Sequence, residues 1–248
     1  MRLSVIIVPA IGSSALDKVL AGYALQAWRD FEVVVAGPAG GPASELVAGR
    51  TRGYPVPLRH VASPDDGEDV LYCRAIAAAQ GDCLLFTRDD CIPRPDLVAA
   101  HARLATPGRF LRGGSCRLGP GLSRQLRRND IVLGRCFQPD WLQAQEPMGA
   151  SSRRRLEAGP VAARLFDALR SPGVRFDPRN TSAWKDDLAA GEGGPAARLQ
   201  ARGVRGRNVE HTAVCLQLAR AVRDTPPVEP HPGPQYDPGV GLARTRYG

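Results

Sequence analysis

Short apolar runs alternate with stretches of helical spacing over the first 105 residues, and this pattern constrains the fold more than any other feature. Four runs have the length and composition of buried strands: 3–8, 31–36, 56–61 and 82–87. Helical spacing follows Ser14, fills 68–80, and runs from Pro95 to about Leu104. Parallel strands need crossover connections of helical length. The alternation therefore predicts an α/β fold, a mostly parallel sheet with helices on both faces.

The length and composition are those of a globular protein. The chain has 248 residues, with 43% hydrophobic and 23% charged, so it can bury a core without disulfide or metal cross-links. No apolar run approaches the ~18–20 residues of a spanning helix, and the first residues lack a signal-peptide cleavage pattern. We predict an α/β half over 1–105, a further region of the same domain over 106–223, and a Pro/Gly-rich extended tail over 224–248.

Basic residues dominate the charge. The net charge is +8, and of 33 basic residues only Lys18 and Lys185 are lysines. This balance suggests a phosphate-rich substrate or an anionic membrane surface, unless it is simply a solvated basic face. Nucleic acid is not expected, because 6% of residues are aromatic and no RNA-binding motif is present. Six cysteines without a Cys-x-x-Cys pair argue against zinc and favour a cytoplasmic location.

Two segments of the second half allow two interpretations each. Helical spacing over 160–170 places Val161, Leu165 and Leu169 on one face, where core packing is expected and a helix lying on a membrane is the alternative. The cluster Arg153–Arg155 is expected to be a solvated loop, with a phosphate site as the alternative. The four histidines are scattered, and we expect the one at position 211 to satisfy a local hydrogen bond.

Paired carboxylates follow the last strand of the first half. In parallel α/β sheets ligands bind beyond the carboxyl ends of the strands, here in the loops 9–14, 37–42 and 88–95. Asp89 and Asp90 lie in the last of these loops and repel each other unless they share a cation. A divalent metal that also binds a diphosphate resolves such repulsion. The alternative is that both residues only cap a turn.

This segment resembles a known family. Residues 80–97 read Gln-Gly-Asp-Cys-Leu-Leu-Phe-Thr-Arg-Asp-Asp-Cys-Ile-Pro-Arg-Pro-Asp-Leu, similar to the family 2 glycosyltransferases of GT-A fold. The opening strand 4–9 and the strand Glu32–Val35 also resemble that family. The segments Asn180–Leu188 and Arg198–Gly203 are similar to motifs of bacterial members that build cell-surface polysaccharides. The likeness covers residues 3–105 and, more loosely, 175–220.

The resemblance implies a function and a set of roles. It implies a nucleotide-sugar donor, a glycan or secondary-metabolite acceptor, direct inverting transfer, and a place in the cytoplasm or at the inner face of a membrane. Pro9 and Arg74 would bind the donor. Arg88 departs from the family, and its guanidinium would neutralise the donor's diphosphate, unless it points to solvent or pairs with Asp89. Asp89 and Asp90 would hold Mg²⁺ or Mn²⁺ together with the ribose and diphosphate. Glu192 would deprotonate the acceptor hydroxyl.

The sequence also departs from the family pattern at four places. Residues 37–40 are Gly-Pro-Ala-Gly where the family carries a base-binding carboxylate, and Arg88 replaces the first Asp of the Asp-x-Asp element. The stretch before Gly191–Glu192 is shorter than in the family, and Gln217 and Arg220 replace a late pair of histidines. These changes predict weak or no dependence on metal. The alternative function is an inactive GT-A domain that binds a nucleotide, a glycan or a partner protein.

Overall fold

A computed structural model describes residues 1–9, 15–64, 67–169, 173–189 and 192–219, which form an eight-stranded sheet. The strands are β1 Leu3–Ile7, β2 Phe31–Pro38, β3 Leu58–Ser63, β4 Cys83–Thr87, β5 Cys91–Pro93, β6 Arg109–Arg117, β7 Asn180–Trp184 and β8 Arg205–Gln217. Their order across the sheet is β3-β2-β1-β4-β7-β6-β8-β5. The predicted cap at Ser14, most of the loop 9–14, Arg220 and the predicted tail lie outside the described residues.

The sheet is mixed and mostly parallel, as predicted. Strands β1 to β4 are parallel to one another, and β6 is parallel to β8. Strand β7 runs antiparallel between β4 and β6, and β5 runs antiparallel to β8 at the edge. Because β7 is reversed, its amino end lies at the same edge of the sheet as the carboxyl ends of β4, β6 and β8.

Helices cover both faces of the sheet. They are α1 Leu16–Ala24, α2 Pro42–Thr51, α3 Glu68–Ala78, α4 Leu97–Leu104, α5 Pro120–Gln125, α6 Arg128–Val132, α7 Pro139–Gln145, α8 Ala150–Glu157, α9 Pro160–Ala168 and α10 Pro195–Ala201. Val33 and Val35 of β2 join one buried cluster with α1, while Val34 joins a second cluster with α3. This alternation follows from the period of two in a strand, and it gives the domain two hydrophobic cores.

Three predicted boundaries are wrong. The segment 37–42 is not wholly a loop, because β2 continues to Pro38 and α2 begins at Pro42. A proline is tolerated at the first position of a helix, since the N–H that it lacks has no partner there. Pro95 does not begin a helix, since it lies in a turn and α4 starts at Leu97. The predicted loop 88–95 contains the three-residue strand β5, because a strand this short leaves no periodic signal in the sequence.

The expected core packing of the 160–170 helix is also wrong. Val161, Leu165 and Leu169 are 83%, 57% and 75% exposed, although the segment is helical as α9. The opposite side of the helix is held by Asp167, whose carboxylate accepts hydrogen bonds from backbone N–H groups of β8. The cluster Arg153–Arg155 is not a loop but part of α8.

A bulge in β8 shapes the middle of the sheet. The register with β6 shifts between Gly113, opposite Val209, and Gly114, opposite Val214. A Cβ on Gly114 would overlap the backbone carbonyl of Glu210, so a side chain at this position would collide with the bulge. The bulge turns Glu210 and the residue after it toward α8 and α9.

A buried carboxylate joins the first three strands. Glu32 accepts hydrogen bonds from Ser4 Oγ at 2.6 Å, from the backbone N–H of Gln80 at 2.6 Å, and from Arg59 Nη2 at 2.7 Å. Burial opposes ionisation of this carboxyl, but the hydrogen bonds and the charge of Arg59 together hold its pKa below the usual range. The carboxylate therefore fixes β1, β2 and β3 and the turn before β4 to one another. None of the described helices is long and apolar enough to cross a membrane.

Candidate functional site

A cleft of about 540 Å³ opens at the edge where β4, β6 and β8 end and β7 begins. We call it the first cleft. Its lining residues are Arg88, Asp90, Arg117, Asp177, Pro178, Arg179, Gln217, Leu218 and Ala219. The structure therefore brings together two of the predicted site residues, Arg88 and Asp90, with Gln217. The cleft lies where an α/β sheet binds ligands, beyond the carboxyl ends of its parallel strands.

Asp90 lies in the turn after β4 and is 6% exposed. One oxygen, Oδ1, accepts the thiol hydrogen of Cys91 at 3.2 Å. The other, Oδ2, accepts the side-chain amide of Gln217 at 3.4 Å. Both carboxylate oxygens thus already have donors within the protein. The neighbouring Asp89 is 2% exposed and is not among the described residues that line the cleft.

Arg88 enters the cleft from the end of β4. Its Nη1 lies 2.8 Å from Oε1 of Glu68, in the first turn of α3, an ion pair that the sequence did not predict. The side chain of Arg88 is 13% exposed. Its Nε is buried and has no hydrogen-bond partner among the described residues. A phosphate oxygen in the cleft would satisfy this donor.

Asp177 and Arg179 stand in the turn before β7. Arg179 donates from Nε to Oδ1 of Asp177 at 2.8 Å and from Nη2 to Oδ2 at 2.9 Å. Burial favours the neutral form of Asp177, yet these bonds and the nearby guanidinium charges hold its pKa below the usual range. Arg179 also lies 3.4 Å from Gln217 Oε1, which continues the chain of contacts to Asp90.

The charges of the first cleft fit an anion better than a divalent cation. Three guanidinium groups line it; Arg88 is paired with Glu68 and Arg179 with Asp177, while Arg117 has no ion-pair partner in the described part of the chain. Within residues 1–9, 15–64, 67–169, 173–189 and 192–219, no group of three or more His, Cys, Asp or Glu side chains could hold a metal ion. Guanidinium groups match the geometry of phosphate oxygens, so the lining suits a diphosphate. The residues do not fit the metal that the resemblance implies.

The remaining predicted site residues are not among the described residues that line the first cleft. Pro9 is half-buried just beyond the end of β1, and Arg74 is exposed on α3. Glu192 is exposed in the segment before α10. The next residue, Gly193, accepts a hydrogen bond from Cys73 of α3 through its carbonyl at 3.6 Å. Glu192 therefore stands beside the same helix that anchors Arg88 through Glu68. The functional roles of Pro9, Arg74 and Glu192 stay predictions.

The sequence reasoning missed three residues of the cleft: Arg117, Asp177 and Arg179. The signal for the last two is the polar turn directly before the strand 180–184. That signal becomes informative only when β7 is known to run antiparallel, because then its first residues face the ligand-binding edge. Arg117 ends β6, a strand that the sequence analysis did not predict.

The motif Asn180–Leu188 has a structural role in this chain. Asn180 accepts from His101 Nε2 through Oδ1 at 2.8 Å, while its amide nitrogen donates to the carbonyls of Gly114 and Ala213. Since the Asn180 oxygen can only accept, His101 carries a proton on Nε2, and its Nδ1 lies 2.8 Å from Ser182 Oγ. Burial lowers the pKa of His101 to about 4. Through these hydrogen bonds, the motif connects α4 and the bulged strand β8 to β7.

A second cleft, of about 490 Å³, lies between α9 and the bulge of β8. Its lining residues are Arg112, Arg154, Phe166, Leu169, Gly173, Val174, Asn208, Glu210 and His211. His211 Nδ1 lies 3.2 Å from Asp167 Oδ1, which confirms the predicted local hydrogen bond. Arg112 links the two clefts, since its guanidinium lies 3.0 Å from Glu210 and 3.9 Å from Asp177.

The comparisons with solved structures agree with this architecture. The mannosyltransferase PcManGT from Pyrobaculum calidifontis, solved in complex with GDP-Man and Mn²⁺, superposes with a TM-score of 0.55 at 17% identity, over 86% of this chain and 56% of that one. S. aureus TarS gives a TM-score of 0.53 at 14% identity, over 88% and 60%. TarS in complex with UDP-GlcNAc gives 0.51 at 15% identity, over 89% and 59%.

The chain has the GT-A fold of glycosyltransferases. This confirms the fold predicted from the motif resemblance, including its mixed, mostly parallel sheet. No family's sequence model matches the chain, and no curated protein sequence does. The chain spans 56% to 60% of the length of these structural neighbours, and their identity to it is 17% or less, so the likeness is one of fold.

Proposed function

We propose that this protein is a glycosyltransferase that takes a sugar from a nucleotide-sugar donor and transfers it to a glycan or small-molecule acceptor. The observation that carries the proposal is the first cleft, an arginine-lined cavity at the ligand-binding edge of a GT-A sheet. PcManGT and TarS were solved with nucleotide sugars, which supports the same class of donor here. A diphosphate is the donor group that suits this lining best, because Arg117 has no ion pair and Nε of Arg88 no hydrogen-bond partner in the described part of the chain.

In the proposed reaction the acceptor oxygen attacks the anomeric carbon of the donor sugar. The bond between that carbon and the diphosphate oxygen breaks, and the nucleoside diphosphate leaves with both bonding electrons. Arg88, Arg117 and Arg179 would neutralise the charge that develops on the leaving group. Glu192 would accept the proton of the attacking hydroxyl, as a general base in a direct, inverting displacement. Pro9 and Arg74 would bind the nucleotide portion of the donor.

The deciding experiment is calorimetric titration with UDP-, GDP- and dTDP-sugars, each in EDTA and in Mn²⁺, followed by an assay for transfer. We expect one nucleotide class to bind and Arg117→Gln to weaken it. Arg124→Gln is the matched control, since Arg124 is exposed on α5 outside the cleft. Absence of binding for every nucleotide would contradict the proposal.

A second candidate function is a non-catalytic GT-A domain that binds a nucleotide, a glycan or a partner protein. It is favoured because other side chains of this chain already bind Asp90 and Arg88. Residues 37–40 also offer no carboxylate to a nucleotide base. Tight nucleotide binding without hydrolysis or transfer would favour this candidate. Turnover of the bound donor would exclude it.

A further inference from the structure

Helix α9 presents an apolar stripe to solvent. Val161, Leu165 and Leu169 follow one another at intervals of four residues, so their side chains share one face of the helix. They are 83%, 57% and 75% exposed. Monomeric soluble domains rarely leave aligned large apolar side chains in water, and such a stripe marks a surface that contacts something else.

The stripe cannot turn inward, because the opposite side of α9 is fixed. Asp167 accepts four hydrogen bonds from the bulge of β8: from the backbone N–H of His211 at 2.8 Å, the N–H of Thr212 at 3.1 Å, Thr212 Oγ1 at 2.6 Å and His211 Nδ1 at 3.2 Å. Ala163 is buried on the same side as Asp167. These bonds set the rotation of the helix, so the outward direction of the stripe is part of the fold.

Unneutralised basic side chains border the stripe. Arg164 is exposed between Val161 and Leu165, and Arg154 lies with its guanidinium 5.8 Å from the centre of the Phe166 ring. Neither arginine has an ion-pair partner among the described residues. The helix thus combines apolar side chains with cations beside them, which is the composition of helices that lie in the headgroup region of anionic membranes.

The stripe continues into the second cleft. Leu169 belongs to both, and Phe166 and Arg154 line the cleft as well. The cleft is also lined by Arg112, which is one third exposed and paired with Glu210. A surface that contacts the stripe would therefore also cover the mouth of an arginine-containing cavity.

We propose that α9 docks this protein on an anionic lipid bilayer. Val161, Leu165 and Leu169 enter the boundary between headgroups and acyl chains, while Arg154 and Arg164 contact lipid phosphates. The chemistry of the occupant follows from the two kinds of side chain together, since an apolar protein surface would leave both guanidinium groups buried and unpaired. Docking brings the second cleft to the membrane surface.

The experiment is co-sedimentation of the full chain with vesicles of phosphatidylcholine alone and with vesicles that also contain phosphatidylglycerol. We expect binding to the anionic vesicles that weakens with salt. The triple variant Val161→Ser/Leu165→Ser/Leu169→Ser should bind at least tenfold more weakly. Replacing Arg154 or Arg164 with Gln should weaken binding about fivefold each.

The matched control is Val132→Ser/Leu133→Ser, which removes two side chains that are 45% and 63% exposed elsewhere on the surface. This control should bind the vesicles as the parent does. Equal binding of the triple variant and the parent, or no binding of the parent to anionic vesicles, would overturn the proposal. A parent that is a dimer by light scattering, with a monomeric triple variant, would show instead that a second copy of the chain covers the stripe. Thermal unfolding of each variant, compared with the parent, shows that lost binding is not lost folding.

Discussion

The side-chain amide of Gln217 lies 3.4 Å from Oδ2 of Asp90, although 127 positions of the sequence separate the two residues. Gln217 ends β8, and Asp90 stands in the turn after β4. The contact places an N–H donor where the family resemblance implies a metal-binding histidine. Together with Arg88, which replaces an Asp of the family pattern, it leaves Asp90 without the metal-binding neighbours that the resemblance implies.

Donor binding in the natural protein should be insensitive to metal. We expect the same affinity in EDTA and in Mn²⁺, because arginines already supply the positive charge. The double variant Arg88→Asp/Gln217→His should bind the donor only when Mn²⁺ is present, since it would place a carboxylate and an imidazole beside Asp90. Calorimetry of both proteins in both buffers checks this. Strict metal dependence of the natural protein would return Asp89 and Asp90 to ordinary metal ligation.

Removing the carboxylate of Asp90 should weaken donor binding through the ribose, whose hydroxyls can donate to a carboxylate without a metal. A lost charge-assisted hydrogen bond costs about 1.5–3 kcal/mol, so Asp90→Ala should reduce the affinity roughly ten- to hundredfold. Asp89→Ala tests the same prediction for the neighbouring residue. Asp96→Ala is the control, because its side chain is 55% exposed and pairs only with Arg94. Unchanged affinity in both test variants would mean that these residues only shape the turn.

The proposed general base can be separated from donor binding. Glu192→Gln should slow transfer at least about a hundredfold, since a positioned base contributes ~10²–10⁴ in rate, and should leave donor affinity unchanged. The control is Glu45→Gln, an exposed position on α2. Single-turnover kinetics with saturating donor give the rate. If Glu192→Gln transfers sugar as fast as the parent, another group takes the proton.

The buried histidine should make the protein less stable in mild acid. The pKa of His101 is lowered from 6.5 to about 4 by burial, so between these values the unfolded chain binds a proton that the folded chain does not. The contribution of the neutral ring to the free energy of unfolding is complete above pH 6.5. It is lost as the pH falls, and the loss reaches about 3 kcal/mol at pH 4. Urea unfolding at several pH values measures this slope. His101→Gln should show a flatter profile, and parallel profiles would refute the assignment.

The stability of the β8 bulge should depend on the glycine at position 114. Gly114→Ala would force its new Cβ against the carbonyl of Glu210, and overpacking of this kind costs about 1–3 kcal/mol. Gly121→Ala is the control, because a Cβ there meets no atom within 4 Å and alanine favours the helix α5. Denaturant unfolding of the two variants should give changes of opposite sign. Equal stability of Gly114→Ala and the parent would show that the bulge can relax around a side chain.

The sequence predicts the first half of the fold well because its signals are local. Strands β1 to β4 are apolar runs, and the helices between them have regular spacing, so the parallel pairing follows from the connections alone. The exposed face of α9 could not be predicted, because its pattern is that of a core helix. The hydrogen bonds that Asp167 accepts from the β8 bulge set which side of the helix faces the protein.

The candidate site is predictable only where it follows a parallel strand. Asp90 and Arg88 come directly after β4, so their position at the ligand-binding edge follows from the alternation of strands and helices. Asp177 and Arg179 precede β7, and their presence in the first cleft depends on that strand running in the opposite direction. The direction of a strand is set by long-range pairing, which no local pattern records.

The reversed strand β7 also determines how long one strand stays unpaired on the ribosome. Strand β4 pairs with β1 on one side and with β7 on the other, and residues 88–179 separate it from β7. Translation proceeds at about 5–20 residues per second, so the open edge of β4 waits for several seconds before its partner emerges. During that interval the nascent chain presents an apolar, unpaired strand, Cys83–Thr87, to its surroundings. The open edge of β4 should therefore be covered only when residues 180–184 leave the exit tunnel.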